Sequence, residues 1–335
     1  MEYIEFTDVP PIEIESVQVN LPVEPVRTDS NTRSFIEANT IEGNLYDLQN
    51  THLIPVFVKD NTPLISHGEF ISATQAVVRE FFSGVDMMAP AIRVSHSIKG
   101  RIPSARDKPA NQLEEWEKTL FYERMMFYIE LPGIQDIVDG NSLALTIGGV
   151  KSYTLDNLYG KKGSDEHFKL FVGFKNRVCT NLSVWSDGLI NDLKVTNVGQ
   201  LRACIRSLLE GYNQNLHLYH LKKFAEHSIT ENQFAYLVGR CRMYPHLPPE
   251  LKAEIPSILF GDQQMSTVVK DYYKDKSFCR DNNGNINLFK LHNLFTGANK
   301  SSYIDSFLER SVGAHNFVEQ IRSGLEGRSS NWYLS

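Results

Sequence analysis

His167-Phe-Lys-Leu-Phe-Val-Gly-Phe-Lys-Asn-Arg177 alternates along its length: Phe168, Leu170, Val172 and Phe174 share one parity, and His167, Lys169, Phe171, Lys175 and Arg177 share the other. Side chains on a strand point to opposite faces in turn, so this stretch predicts a strand with one apolar and one basic face. Other stretches repeat the pattern. Over 122–131, Met125, Phe127, Ile129 and Leu131 oppose Tyr122, Arg124, Tyr128 and Glu130. Over 91–102, Ile92, Val94, Ile98 and Ile102 oppose Arg93, Ser95, Ser97, Lys99 and Arg101, with His96 on the apolar side. Leu143, Leu145 and Ile147 suggest a further strand running into Gly148-Gly149. Strict alternation favours half-buried antiparallel strands, which can leave one face wet. The polar parity then holds Arg93, Lys99, Arg101, Arg124, Lys169, Lys175 and Arg177 against Glu130 alone.

Beyond about residue 195 the period changes to a helical one, over 198–212, 216–227, 231–242, 264–274, 286–295 and 313–325. One helix flanks the strands. Ser66 caps it and Phe70, Ala73, Val77 and Phe81 give it an apolar stripe through about Phe82. Thr230 with Gln233 forms a capping box, and Pro245, Pro248, Pro249 and Pro256 separate helices. The fold class is therefore α+β: an antiparallel sheet in the first half with one flanking helix, and a mostly helical second half. The expected segments are an acidic arm over 1–50, a sheet-containing domain over 51–190, and a helical region over 191–335 packed on the sheet. Residues 53–58 and 63–66 suggest a small hairpin around Asp60-Asn61.

With 335 residues and 41% hydrophobic content, the chain has material for a substantial core. Its net charge of −6 is uneven: residues 1–48 carry ten acids against Arg27 and Arg33, a net −8 that leaves +2 for 49–335. Pro10, Pro11, Pro22 and Pro25 among those acids describe an extended arm. Cys179, Cys204, Cys241 and Cys279 are widely spaced, which points to reduced core thiols rather than a zinc cage or redox pair. No apolar run reaches the ~18 residues that a membrane helix needs, and the acidic N-terminus is unlike a secretory signal. A cytoplasmic protein without a membrane partner is expected.

Motifs for chemistry fall short one by one. Gly148-Gly-Val-Lys-Ser152 lacks the glycine that a P-loop places directly before its lysine. Gly160-Lys161-Lys162-Gly163 reads as a basic loop over a polyanion or as a solvated turn. His217 and His220 share a helix face, with His227 two turns on, but no third metal ligand accompanies them. Cys179 and His167 flank one strand without marking a thiolate nucleophile. The Asp281–Asn287 run resembles a calcium loop whose first and twelfth positions, Cys279 and Lys290, are not oxygen donors of the required kind, so an Asx-rich turn with Asn285 or Asn287 capping a helix fits better. No cofactor and no metal is expected, and no catalytic residue is assigned.

The basic parity remains. Tyr122, Tyr128, Tyr153 and Phe171 interleave with its cations, as bases stacking on a sheet would require while lysines and arginines follow phosphates. The candidate nucleic-acid-binding residues are Arg93, Lys99, Arg101, Arg124, Tyr128, Lys151, Tyr153, Lys161, Lys162, Lys169, Phe171, Lys175 and Arg177. The competing account is that sheets carry lysine and arginine on exposed faces and edges for solubility. Binding by the sheet requires one open face; helices laid over it would remove the surface.

Three strings carry a resemblance: Gly148-Gly-Val-Lys-Ser-Tyr-Thr-Leu-Asp-Asn-Leu-Tyr159, His167 to Asn181, and Asn293-Leu-Phe-Thr-Gly-Ala-Asn-Lys-Ser-Ser-Tyr303. From about residue 50 to the end, the chain resembles a domain-of-unknown-function family of Bacteroidetes conjugative elements and phages. Val178-Cys-Thr-Asn181 and Asn293-Leu-Phe-Thr296 are distantly similar to the phage/plasmid-like protein family. Neither family supplies a catalytic or binding residue to carry over. The resemblance implies a mobile-DNA context, and with the basic parity it leads to a non-enzymatic nucleic-acid-binding protein, a single-strand-binding, annealing or recombination accessory factor. The alternative is a protein-interaction module, an anti-defence or assembly factor, working through helices 198–325. Tyr272, Tyr273, Phe289 and Phe295 are its candidate contacts. Self-association is compatible with both readings. An enzyme would need polar groups gathered into a cleft from distant segments.

Overall fold

A computed structural model describes residues 34–57, 65–153, 165–255 and 257–334. Their strands are β1 (Ile41–Glu42), β2 (Ala91–Val94), β3 (Ser97–Arg101), β4 (Lys118–Tyr122), β5 (Arg124–Val138), β6 (Asn141–Ser152), β7 (Glu166–Asn176), β8 (Leu182–Val195), β9 (Ser228–Ile229) and β10 (Ile286–Asn287). Their helices are α1 (Leu45–Asn50), α2 (His67–Phe81), α3 (Val198–Gly211), α4 (Gln214–Ala225), α5 (Glu231–Met243), α6 (Pro249–Glu254), α7 (Asp262–Lys274), α8 (Leu288–Ala298) and α9 (Ile304–Leu325). The α+β reading holds, with a six-stranded antiparallel sheet in the order β1-β2-β5-β6-β7-β8.

The apolar parity read from the sequence is the face that builds the main core. Ile92, Val94, Met125, Phe127, Ile129, Leu145, Ile147, Phe168, Leu170, Val172 and Phe174 all pack there with α2, α4, α7 and α8. Because sheet and helices share that core, Arg33–Ser335 forms one compact unit, without a boundary at residue 190. The capping box at Ser66 and Glu69 starts α2, which lays Phe70 across the sheet between the rings of Phe127 and Phe168. Burying such a ring stabilises by about 2–3 kcal/mol. Gly149 permits that approach: a Cβ there would fall 2.5 Å from the Phe70 ring and 2.5 Å from the Lys169 carbonyl. The glycine pair thus serves helix-on-sheet packing.

The 91–102 stretch is not one strand. Ser95 turns away, its Oγ accepting the Arg124 amide at 3.0 Å, and the chain continues into β3, which pairs with β4 in a separate two-stranded sheet and meets Pro55 at one isolated bridge. Lys99 and Arg101 therefore do not share a sheet with Arg93. Strand β8 was not foreseen. Two register shifts against β7 break its alternation, so no period-2 signal survives. Helix α9 begins nine residues before the expected 313. Tyr303 holds its N-cap position without a side-chain hydrogen bond, which hid the start. The C-terminal part of the expected acidic arm, from residue 34, is built into the unit: β1 pairs with β2, and α1 follows. Residues 1–33 and 58–64, including the expected Asp60-Asn61 hairpin, lie outside the described residues. No helix among the described residues is long and apolar enough to cross a membrane.

Candidate functional site

The polar face of the sheet is an interior surface. Met126, Tyr128, Val150, Phe171, Leu182 and Val184 pack there against Ile304, Phe307 and Leu308 of α9 and against Phe35 and Ile36. The cations on that face are paired within the protein. Lys169, 4% exposed, donates to the Asp305 carbonyl at 2.7 Å and to Glu309 at 2.9 Å. Arg124 meets Asp305 at 2.6 Å, and Arg93 donates to the Thr40 carbonyl at 2.6 Å. Lys175 and Arg177 converge on Glu130 at 2.6 and 3.4 Å, with Lys175 over the Tyr128 ring. Of these, Arg177 alone is exposed.

The other sequence candidates do not join them. Lys151 pairs across the ladder with Met125 and so lies on the opposite face. There its buried ammonium sits 2.7 Å from Glu166, which also accepts the Ile65 amide and so anchors the entry to α2. Tyr153 is buried against Phe121 and His67. Arg101, also buried, donates to the carbonyls of Val56, Arg106 and Lys108, so its fork fastens loops. Lys99 is exposed on β3, and Lys161 and Lys162 lie outside the described residues. The open cationic face expected from parity is thus replaced by a packed layer whose ion pairs hold α9 and the strands together.

Two of the strings singled out in the sequence meet instead at the end of β7. After Asn176 the chain turns through Cys179 and Thr180, the latter at φ 59°, into Asn181. Asn176 secures the turn by accepting the amides of Val178 and Cys179. Asn181 donates to the Asn293 carbonyl at 3.0 Å, and Asn293 on α8 also accepts from the Cys179 thiol at 3.9 Å. Lys300 donates to the Cys179 carbonyl and to Thr180 Oγ1. Cys179, Asn181, Asn293, Gly297 and Lys300 form the floor of a cleft of about 390 Å3. Its rim on α7 and the following turn carries exposed Lys270, Lys274 and Lys276, together with Asp271 and Asp275, and Glu37 faces it. Burial pushes the Cys179 thiol up from its usual pKa, so it stays protonated and is no nucleophile. His167 stands at the far end of β7, roughly 30 Å away at ~3.3 Å per strand residue, and is paired with Asp192.

Behind this floor lies a second polar group. A cavity of about 10 Å3 touches Asn181, Asn293, Ser183 and His292. His217 bonds Ser183 at 3.2 Å through Nε2 and Tyr212 at 2.6 Å through Nδ1. His315 is central, with ring centroids of His217, His292 and His220 at 5.1, 5.7 and 6.0 Å. Desolvation pushes His217 to about 3 and His292 to about 4, and holds His315 well below its ordinary value. The expected pairing of His217 with His220 is thus part of a four-histidine cluster. No group of three or more His, Cys, Asp or Glu among the described residues is set to hold a metal ion. At the former calcium-loop candidate, Asp281 accepts the amides of Asn283 and Asn285, and Asn287 caps α8.

A family model described as "Domain of unknown function, B. Theta Gene description (DUF3871)" matches residues 16–334. The chain belongs to this family. No curated protein and no solved structure matches it. The family match begins inside the acidic segment, well before residue 50, where the sequence resemblance started. Within this family member, sequence reasoning missed His292 and His315, and it met Asn293 as part of a resemblance string without assigning it a role. A signal existed for His292 and Asn293: from Leu288 to Thr296 every position but Lys290 is buried, and a helix enclosed on nearly all sides that carries His and Asn has a polar task inside the core.

Proposed function

We propose that the protein is a nucleic-acid-binding protein of a mobile element, holding a single-stranded segment at the lysine-rimmed cleft and not on its sheet. The observation that carries this reading is the placement of Lys270 and Lys274, one turn apart on α7, with Lys276 beside a floor of buried amides and Lys300. Exposed ammonium groups follow phosphates, and amide floors receive base or sugar edges. The cleft's 390 Å3 lies at the low end of the ~300–1,000 Å3 typical of small-ligand sites, room for a nucleotide unit of a strand. Asp271 lies 3.4 Å from Lys270, and Asp275 is occupied by the amides of Ser277 and Phe278, so the acids temper the rim without cancelling it.

Fluorescence anisotropy with labelled single-stranded and duplex DNA over a salt series tests this. Each neutralised phosphate on a single strand contributes a log–log slope of about −0.7, so three rim lysines predict a slope of about −2. Lys270→Glu/Lys274→Glu should flatten it by about 1.4. Absence of wild-type binding at low salt, or an unchanged slope in the variant, refutes the proposal.

A protein partner is favoured by one other feature, an exposed stripe on α5 where Tyr236 and Met243, 61% and 53% exposed, flank Gly239 along an open groove of about 710 Å3. Light scattering of wild type and Met243→Glu shows whether that stripe serves self-association: a dimer lost in the variant supports it, a monomer in both excludes it.

A further inference from the structure

The four histidines come from three separate helices, His217 and His220 from α4, His292 from α8 and His315 from α9. Both ring nitrogens of His315 and Nε2 of His292 are buried without a hydrogen-bond partner among the described residues. Buried polar atoms are normally satisfied, so a cluster of orphaned nitrogens calls for an account. A metal centre is not that account, since the rings do not converge as a ligand set. Apolar groups complete the shell: Phe224 stands 5.1 Å from His315, and Trp185 4.8 Å from His220.

The charged groups that act on the cluster reach only its edge. Glu319 of α9 approaches His220 at 3.7 Å, and Asp187 of β8 and Arg322 of α9 also act on His220. Among the described residues no carboxylate acts on His217, His292 or His315; desolvation lowers all three first, and histidine neighbours lower His217 and His315 further. A proton entering the middle of the cluster therefore meets low-dielectric surroundings and like charge, with no anion to receive it. His292 is also the residue before Asn293, so the same turn of α8 carries the cluster and the cleft floor.

We infer that the cluster is an acid-operated latch: protonation of His292 and His315 drives α8 away from α4 and α9 and withdraws Asn293 and Gly297 from the cleft, releasing its ligand. Regulation of the cleft rests on the proposed function; the latch itself does not, and its test reads without ligand. At neutral pH the histidines are neutral in both folded and unfolded chains. As pH falls below the free value of ~6.5, the unfolded or opened chain takes up protons that the closed core refuses, so closure weakens.

Urea unfolding at intervals between pH 7.5 and 5.5 measures the protons taken up. Wild type should approach four at pH 5.5, from His217, His292, His315 and the equally buried His67, and His315→Gln and His292→Gln should each lower the slope by close to one. A wild-type slope under two overturns the inference, whether or not either variant folds. Hydrogen exchange at pH 7.5 and 5.5, corrected for intrinsic rates, locates the opening. Residues 288–298 should lose protection at least tenfold more than β5 and β6 in wild type, and this difference should vanish in His292→Gln. Uniform loss across the chain overturns the latch. So does one equivalent of Zn2+ raising the melting temperature of wild type and not of His315→Gln, since the orphaned nitrogens would then serve a cation. DNA affinity that falls at least tenfold at pH 5.5 in wild type and not in His292→Gln connects latch to cleft. With the exchange result positive and DNA bound equally at both pH values, control of the cleft fails.

Discussion

Replacing Lys169 by Glu separates an interior ion pair from a surface cation. The wild-type ammonium is almost wholly enclosed and bonded to the Asp305 carbonyl and Glu309. The variant places a carboxylate beside Glu309, with Arg124 already committed to Asp305. Breaking a fully buried pair by removing one partner costs about 3–5 kcal/mol, and with the Glu309 side chain 44% exposed the cost here is at the low end, about 3 kcal/mol. At roughly 1.6 °C per kcal/mol for a unit of ~300 residues, the melting temperature should fall by about 5 °C. Lys169→Met, which keeps the stem and removes the charge, should cost less and should be largely rescued by Glu309→Gln, because the two residues are directly coupled. Differential scanning calorimetry at pH 7.5 on wild type, Lys169→Met, Glu309→Gln and the double variant completes the cycle, with Lys169→Glu measured alongside. Lys169→Glu melting within 2 °C of wild type would mean that the side chain stands in water, and the interior reading of this face would fall.

Other consequences follow from the same packing. Gly149→Ala should destabilise by about 1–3 kcal/mol through overpacking against Phe70 and the Lys169 carbonyl, read as a lowered urea midpoint. Ser66→Ala removes one half of the box that starts α2 and should cost about 1 kcal/mol by the same assay. Cys179, its thiol buried and held protonated, should react with iodoacetamide at pH 7.5 far more slowly than after unfolding, as followed by mass spectrometry; equal rates would contradict the enclosed turn. Glu309 is held below its usual carboxylate range by Lys169 and Asn191 against the opposing effect of burial. Its contribution is therefore present above the unfolded carboxylate pKa and lost as pH falls through the folded one. Glu309→Gln should reduce the acid sensitivity of the melting temperature below about pH 4.5.

The sheet was legible because parity is a local property: Phe168, Leu170, Val172 and Phe174 had to share a face whatever covered it. What covered the opposite face was not local. Asp305, Phe307 and Glu309 arrive more than a hundred residues after the strands they neutralise or pack upon, and nothing in 167–177 distinguishes a lysine that meets water from one that meets Glu309. Arg101 and Lys151 show the same limit, one fastening loop carbonyls and the other buried with Glu166. Caps at Ser66, Thr230 and Asn287 were readable since each lies within three residues of its partner amide. The cleft was half legible. Its two strings stood out, but their meeting depends on Asn181 reaching Asn293 across 112 residues. His315 carried no signal, as a histidine amid a mixed helix face reads like any other surface residue.

Hydrogen exchange of the wild-type protein with and without a single-stranded oligonucleotide, at pH 7.5 and low salt, tests the central claim most directly. The cleft reading predicts added protection over 267–276, 178–181 and 293–300, with β5 and β7 unchanged. Protection confined to the sheet strands, or none anywhere under conditions where the oligonucleotide is bound, would contradict it.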